Sequence, residues 1–306
     1  MTTMQDLISE TKGMTYGTLG DQLNVIAAPY VAGAQSIIME LDVTGISYGM
    51  MISSGLNVWY VKGVDSGTKT VYVIPGYNNS PKQAAAIGDF VYIKPRVTDW
   101  YLFETLNQEI VRLSNPDSGL YKVGSWEAPA NFSYETYPVP TEAQDMVGIL
   151  RVRYRFPGST DTWFDVTNKS YRIQLNSPTA AALASGLPVA RSVVRLLINV
   201  PGGAVLQFQY KAPFVKASFL SDDIETVCGL ASTMVDIPPL GAYKTLLYTT
   251  ESRRNQVQEQ GDPRRAAEVG GNSNTSTSRF VSASYKTRVN EEATRLIQRI
   301  PYVRSL

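Results

Sequence analysis

The chain predicts an α+β fold with a β-sandwich inserted in it, and three stretches carry that expectation. Residues 36–93 hold short apolar runs separated by Gly, Ser and Asn turn signals, the pattern of a small antiparallel sheet. Residues 98–113 place Trp100, Phe103, Leu106, Ile110 and Leu113 on one helical stripe suited to cover that sheet. Residues 150–211 return to short strands with turns between them, as β-sandwiches and jelly rolls do. The expected organisation is an α+β N-terminal domain over 1–127, a jelly-roll-like β-sandwich over 128–217, and a C-terminal helix–extended strap–helix segment over 218–306.

In chain order, Thr3 is placed to cap a first helix with Met4, Leu7 and Ile8 on one side. The runs SIIMEL, YGMMIS, NVWYVKGV and TVYVI follow, broken at Gly45, Ser54-Gly55 and Asp65-Ser66-Gly67, and a further strand runs from Asp89 to Lys94. Thr98 caps the amphipathic helix. In the sandwich, Leu150, Val152, Tyr154 and Phe156 alternate with Arg151, Arg153 and Arg155, which predicts a half-buried strand with a basic outer row. Strands are expected at 162–166, 171–175, 191–200 and 204–211, the last two joined through Pro201-Gly202-Gly203.

The C-terminal segment begins with Ser221 as a capping residue and Asp222, Asp223 and Glu225 in a first turn, ended by Gly229. A helix from about Leu240 to Arg254 should put Leu240, Tyr243 and Leu247 on one face. Asn255 to Phe280 has too few apolar side chains to bury a face, so it reads as an extended strap. Fixing each residue costs about 1–2 kcal/mol of backbone entropy, so such a strap orders only against something else, a neighbouring chain above all. Fully extended it would reach about 85 Å. Tyr285, Val289, Ala293, Leu296 and Ile300 then resume helical spacing, with Glu291 and Arg295 as an i,i+4 pair, until Pro301.

Composition narrows the chemistry. No histidine occurs, which removes the commonest general base, the Ser-His and Cys-His nucleophile systems and nearly all zinc sites. The one cysteine, Cys228, reads as a small buried hydrophobe, and no phosphate loop of the GxxxxGK[ST] or GxGxxG kind is present. No enzyme activity, cofactor or metal is expected, and the acids at 222, 223 and 225 read as complements to a helix dipole. No apolar run approaches the length of a membrane helix, and the N-terminus lacks a signal-peptide pattern, so the expectation is a protein made and kept in cytoplasm-like conditions without a membrane. Residues 251–306 hold ten Arg and Lys against six Asp and Glu, a net +4 that leaves −3 for the rest of a chain of net +1.

Two further readings attach to residues. Tyr154, Trp163 and Tyr171, with Asp161 and Asp165, could form a stacking face for a glycan, although each is equally a sandwich residue. Asp161, Asp165 and Asn168 have a calcium-like spacing, but the Gly turn and closing Glu of an EF-type loop do not follow.

With these pieces assembled, the chain resembles structural proteins of tailed-bacteriophage virions, in particular the head-to-tail connector (neck or adaptor) family. The residues that carry the resemblance are IGDFVYIKPR followed by TDWYLFETLNQEIVRL, and in the C-terminal segment LSDDIETVCGL, DIPPLGAYKTLLYTTESRRNQ and EEATRLIQRIPYVRSL. The β-sandwich departs from the smaller adaptors and looks like an insertion. The resemblance implies a virion protein assembled in the host cytoplasm, a ring of identical subunits between portal and tail, twelve-fold by preference and six-fold as the alternative. It also implies portal and tail or neck proteins as partners, and double-stranded DNA passing through the ring. Arg288, Arg295, Arg299 and Arg304 are then candidates for contact with an acidic ring partner or with DNA. A tail or baseplate ring protein, or a carbohydrate-binding virion module acting through the sandwich, remain the alternatives.

Overall fold

The computed structural model describes residues 2–16, 22–130, 136–159, 162–166, 171–174, 193–259 and 273–299. The fold is α+β. Its elements are α1 (Met4–Tyr16), β1 (Gln22–Val25), β2 (Ser36–Ile38), β3 (Met51–Ser54), β4 (Asn57–Asp65), β5 (Thr70–Pro75), β6 (Phe90–Ile93) and α2 (Asp99–Arg112). Then come β7 (Lys122–Pro129), β8 (Thr136–Pro138), β9 (Gly148–Arg155), β10 (Phe164–Val166), β11 (Tyr171–Gln174), β12 (Val193–Leu196), β13 (Val205–Ala212), α3 (Ile237–Glu259) and α4 (Ser273–Arg299). Two compact units result, 1–110 with 216–286 and 111–215 with 287–306. The boundary expected at 127/128 falls inside β7, and the expected third domain is shared between the two units.

In the first unit, β1 to β6 form an antiparallel sheet in the order β1-β6-β3-β4-β5-β2. The sheet curls until its two edges touch. An Ile26–Met39 bridge, with Ala27 N–H donating to the Ile38 carbonyl and Glu40 N–H to that of Val25, joins the β1 and β2 sides. Alternation sends Ile52, Trp59, Val61, Val71, Val73, Val91 and Ile93 inward to one core, where the Trp59 ring meets Tyr30 edge-on at 5.1 Å. Closing the edges this way protects strands that would otherwise present free N–H and C=O groups. Between β3 and β4 the two-residue turn places Gly55 at φ +52°, while Leu56 keeps an ordinary φ, as a II′ hairpin requires.

Helices cover this curled sheet. Thr3 caps α1 with a reciprocal box: its N–H donates to Asp6 Oδ2 at 2.8 Å, and Asp6 N–H donates back to its hydroxyl. Met4, Leu7 and Ile8 are fully buried, as their spacing predicts. Thr98 caps α2 through the Tyr101 N–H, and the helix buries Leu102, Phe103, Leu106 and Ile110. The Asn107 side chain both donates to and accepts from the backbone of Ala217, at 3.1 and 2.8 Å, which ties the returning chain to α2.

The second unit is the sandwich. One antiparallel sheet runs β10-β9-β13-β7 and the other β11-β12-β8. First strand pairs with last (β7 with β13), and second with next to last (β8 with β12), so an antiparallel ribbon is rolled around a shared core, as in a jelly roll. Tyr137, Val152, Val166, Val194, Leu196, Leu206 and Phe208 fill that core from both sheets. Pro201-Gly202-Gly203 does not close a hairpin, because β12 and β13 belong to different sheets.

The C-terminal elements depart most from expectation. Ile224–Cys228 forms a single π-helical turn, ended by Gly229 at φ +81°. Ser221 is not its cap: Asp223 occupies that position and bridges to Thr3, while Asp222 accepts from the N–H groups of Ser218 and Phe219. Cys228 is buried. The helix α3 starts three residues early, with Pro238 and Pro239 in its first turn, where no intrahelical N–H is needed. It also runs on to Glu259, and α4 begins at Ser273. Residues 255–259 and 273–280 are therefore helical rather than extended, and 260–272 lie outside the described residues. Glu, Gln, Asn, Ser and Thr each disfavour a helix by only tenths of a kcal/mol, so a long helix propagates through a polar stretch that periodicity alone scores as unstructured.

Candidate interaction surfaces

The helices of the first unit meet at a buried carboxylate. Glu109 on α2 is 1% exposed, and the hydroxyls of Thr245 on α3 and Tyr285 on α4 donate to its two oxygens at 3.3 and 3.5 Å. Lys244 lies 4.0 Å from the centre of the Tyr285 ring. The approach depends on Gly241, where a Cβ would sit 2.8 Å from Glu109 Oε2 and 3.0 Å from the Tyr285 ring. The buried face of α3 is consequently Ile237, Ala242 and Leu246 around Gly241, one residue round from the expected Leu240, Tyr243 and Leu247, which are half-buried. Only at Gly241 does the close approach of Glu109 and Tyr285 exclude a side chain.

On the C-terminal half of α4, Glu292 is 2% exposed and accepts from two guanidiniums, Arg288 at 3.3 Å and Arg295 at 2.6 Å. Arg288 also pairs with Glu291 at 2.7 Å. The Glu291–Arg295 pair expected from spacing is thus replaced by two i,i+3 pairs and one i,i+4 pair centred on the buried acid. Of the four arginines assigned to partner contact, Arg288 is committed to these acids, and Arg295 keeps a side chain 60% exposed beyond its bond to Glu292. Arg299 is the last residue of α4, and Arg304 lies outside the described residues. Neither Glu109 nor Glu292 was singled out by sequence, since an acid on a helix reads as solvated until its neighbours are known.

The sandwich separates the residues of the expected glycan face. Phe164 is in register with Tyr154, so these two share a face and stack at 5.5 Å, with Phe156 edge-on to both. Tyr154 and, from the opposite sheet, Tyr171 pack against the shared core. Trp163, one residue from Phe164, belongs to the other side, where Arg153 and Arg155 lie over its ring at 4.7 and 5.0 Å. The three aromatics do not form one platform. The basic outer row exists, but it is answered: Arg151 pairs with Asp165, which raises the affinity of that guanidinium for its proton, and Arg153 donates to Gln207 at 2.6 Å. Burial and the neighbouring Arg151 push Arg153 the other way. Asp161 and Asn168 lie outside the described residues.

The outside of the curled sheet carries a tyrosine cluster that sequence did not single out as a unit. Tyr48 meets Tyr60 edge-on at 6.1 Å and Tyr60 tilts against Tyr77 at 5.4 Å, with Met51 and Ile74 flanking Tyr60 in cross-strand register. Tyr48 is largely exposed. Trp100 Nε1–H donates to the Asn78 carbonyl at 3.2 Å, which pins the loop that carries Tyr77.

Among the described residues no group of three or more His, Cys, Asp or Glu side chains could hold a metal ion, and no helix is long and apolar enough to cross a membrane. No protein-family model matches the chain, and no curated protein sequence matches it.

Proposed function

We propose that this chain is a structural, non-enzymatic virion protein of a tailed bacteriophage, a ring-forming connector in the neck that joins the capsid portal to the tail. The observation that carries the reading is the convergence of the segments that resemble the connector family. TDWYLFETLNQEIVRL forms α2, DIPPLGAYKTLLYTTESRRNQ supplies most of α3, and both meet α4 at Glu109, while LSDDIETVCGL bridges to Thr3 at the start of α1. Segments distant in sequence are thus gathered into one helical assembly beside the curled sheet. Along α4, Phe280 and Ile297 point largely into solvent, where a neighbouring subunit would cover them. In such a ring each subunit presents one surface to the next and a different one to the last, a heterologous contact that closes by rotation.

The ring would be twelve-fold, with portal protein on one side, tail or neck proteins on the other, and double-stranded DNA passing through it. Cryo-EM averaging about the neck of the intact particle tests this. A closed ring of this chain between portal and tail is expected; density at the distal tip, or none in the particle, overturns it. Charge reversal at Arg295 and Arg299 tests the arginine contacts, which are discarded if particles assemble and retain DNA normally.

A further inference from the structure

Among the described residues, β7 is the long edge strand that nothing blunts. In the first unit the outer strands β1 and β2 close on each other through the Ile26–Met39 bridge. In the sandwich the edges β8, β10 and β11 are three, three and four residues long, whereas β7 runs for eight. Its register with β13 is continuous from Lys122 to Pro129, with no bulge to twist the edge away and no lysine or proline between those two end residues. Ala130 N–H donates to the Ala204 carbonyl at 2.7 Å, so by alternation Lys122, Gly124, Trp126 and Ala128 spend their backbone groups on β13. Val123, Ser125 and Glu127 therefore aim theirs outward, where no strand of the described residues pairs with them.

Free N–H and C=O groups at every second residue accept another extended backbone. The side-chain rows of β7 suit this same strand, run antiparallel about Ser125. Val123 then stands opposite Glu127 of the second copy, Ser125 opposite Ser125 and Glu127 opposite Val123, and each of these pairs exchanges two hydrogen bonds, about six in all. No like charges stand opposite each other, and Glu127 is already answered within its own chain by Gln207 at 3.1 Å and Arg155 at 4.0 Å. On the other face each large side chain meets a small one: Trp126 faces Gly124, and Lys122 faces Ala128. The Tyr210 ring occupies the place that a Gly124 Cβ would take. Trp126 stacks on Phe208 at 4.7 Å and meets Tyr210 at 5.3 Å, so a second Trp126 beside Gly124 carries one aromatic row across the axis.

We infer that β7 pairs with β7 of a second copy of this chain, antiparallel about Ser125, and joins two sandwiches through one continuous sheet. The contact is isologous and so goes beyond the ring reading, whose contact is heterologous.

Sedimentation velocity of the full-length protein, wild type against Ser125→Pro, tests it. The Ser125 N–H faces away from β13, so proline there leaves the sandwich ladder intact and removes the donor at the axis. The expected result is self-association about tenfold or more weaker for Ser125→Pro, with an unchanged circular dichroism spectrum. Cysteines test the register. Ser125→Cys would lie about 5.5 Å, Cα to Cα, from its own copy and should cross-link on mild oxidation. Val123→Cys would lie about 14 Å from its own copy and should not, while Val123→Cys mixed with Glu127→Cys should. Cys228 is buried, and wild type serves as the blank. A wild type that stays monomeric at every concentration, or Val123→Cys cross-linking to itself as readily as Ser125→Cys, overturns the inference. Ser125→Pro associating as well as wild type also overturns it, and leaves the ring reading standing. A β7 dimer with no ring in the particle refutes the ring reading alone.

Discussion

Gly241→Ala is the most informative single change in the helical assembly, because general propensity and local packing oppose each other there. Replacing a helix-interior glycine by alanine ordinarily stabilises by about 1 kcal/mol. At this position the new methyl would lie 2.8 Å from Glu109 Oε2 and 3.0 Å from both Glu109 Cδ and Tyr285 Cε2. Glu109 cannot swing away, since it is buried and holds two hydroxyls. Overpacking of this kind costs about 1–3 kcal/mol, so with the propensity gain subtracted the net is a destabilisation of about 1 kcal/mol. For a unit of this size that lowers the melting temperature by about 2–4 °C. Thermal and urea unfolding of Gly241→Ala, Glu109→Ala and the double variant measure it. In the double variant the methyl has room, so its stability should exceed the sum of the single effects by about 1 kcal/mol or more, the coupling typical of residues in contact. If Gly241→Ala instead raised stability by the usual helical increment, the close approach of α2, α3 and α4 at Glu109 would be refuted.

Other perturbations follow from the same geometry. Thr3→Ala removes the hydroxyl half of the α1 capping box and should cost about 1 kcal/mol in urea unfolding. The Thr3 N–H and hydroxyl hold the Asp6 carboxyl below its ordinary 3.8, so the stability that Asp6 contributes is present above that pH and is lost as pH falls through its lowered value. The melting difference between wild type and Asp6→Asn should accordingly vanish in acid. Glu10 behaves in the opposite sense: burial, then the nearby Asp236, raises it above its ordinary 4.5, so ionising it costs stability as pH rises through that range. Glu10→Gln should melt higher than wild type at pH 7, with the gap closing below about pH 4.5. Glu292→Gln removes the charge that Arg288 and Arg295 share and should destabilise by about 2 kcal/mol, a value that a melt indistinguishable from wild type would exclude.

Periodicity and capping residues were enough to place the regular elements. Thr3 and Thr98 cap their helices, Met4, Leu7, Ile8, Leu106 and Ile110 are buried, and the alternation around Val152 gives a strand, because each of these signals acts within a few residues. The pairing of those strands was not legible. Pro201-Gly202-Gly203 looks like a hairpin turn in isolation, yet it carries the chain from one sheet of the sandwich to the other. Helix ends were misplaced where polar residues continue a helix without an apolar stripe to announce it, at 255–259 and 273–280.

The sites were decided by distance in space. Trp163 and Tyr154 are nine residues apart and chemically suited to one platform, but the register of Phe164 with Tyr154 sends Trp163 to the other face, beneath Arg153 and Arg155. Glu109 is more than a hundred residues from both Thr245 and Tyr285, which it meets in space. Sequence by itself determined the α+β class, the absence of histidine chemistry and the basic C-terminal segment, all of which follow from local propensity and composition. Which acids are buried, which arginines are answered and which strand edge is left open was decided only by tertiary packing. Desolvation and hydrogen bonding act on whatever the fold brings within about 3 Å, without regard to order along the chain.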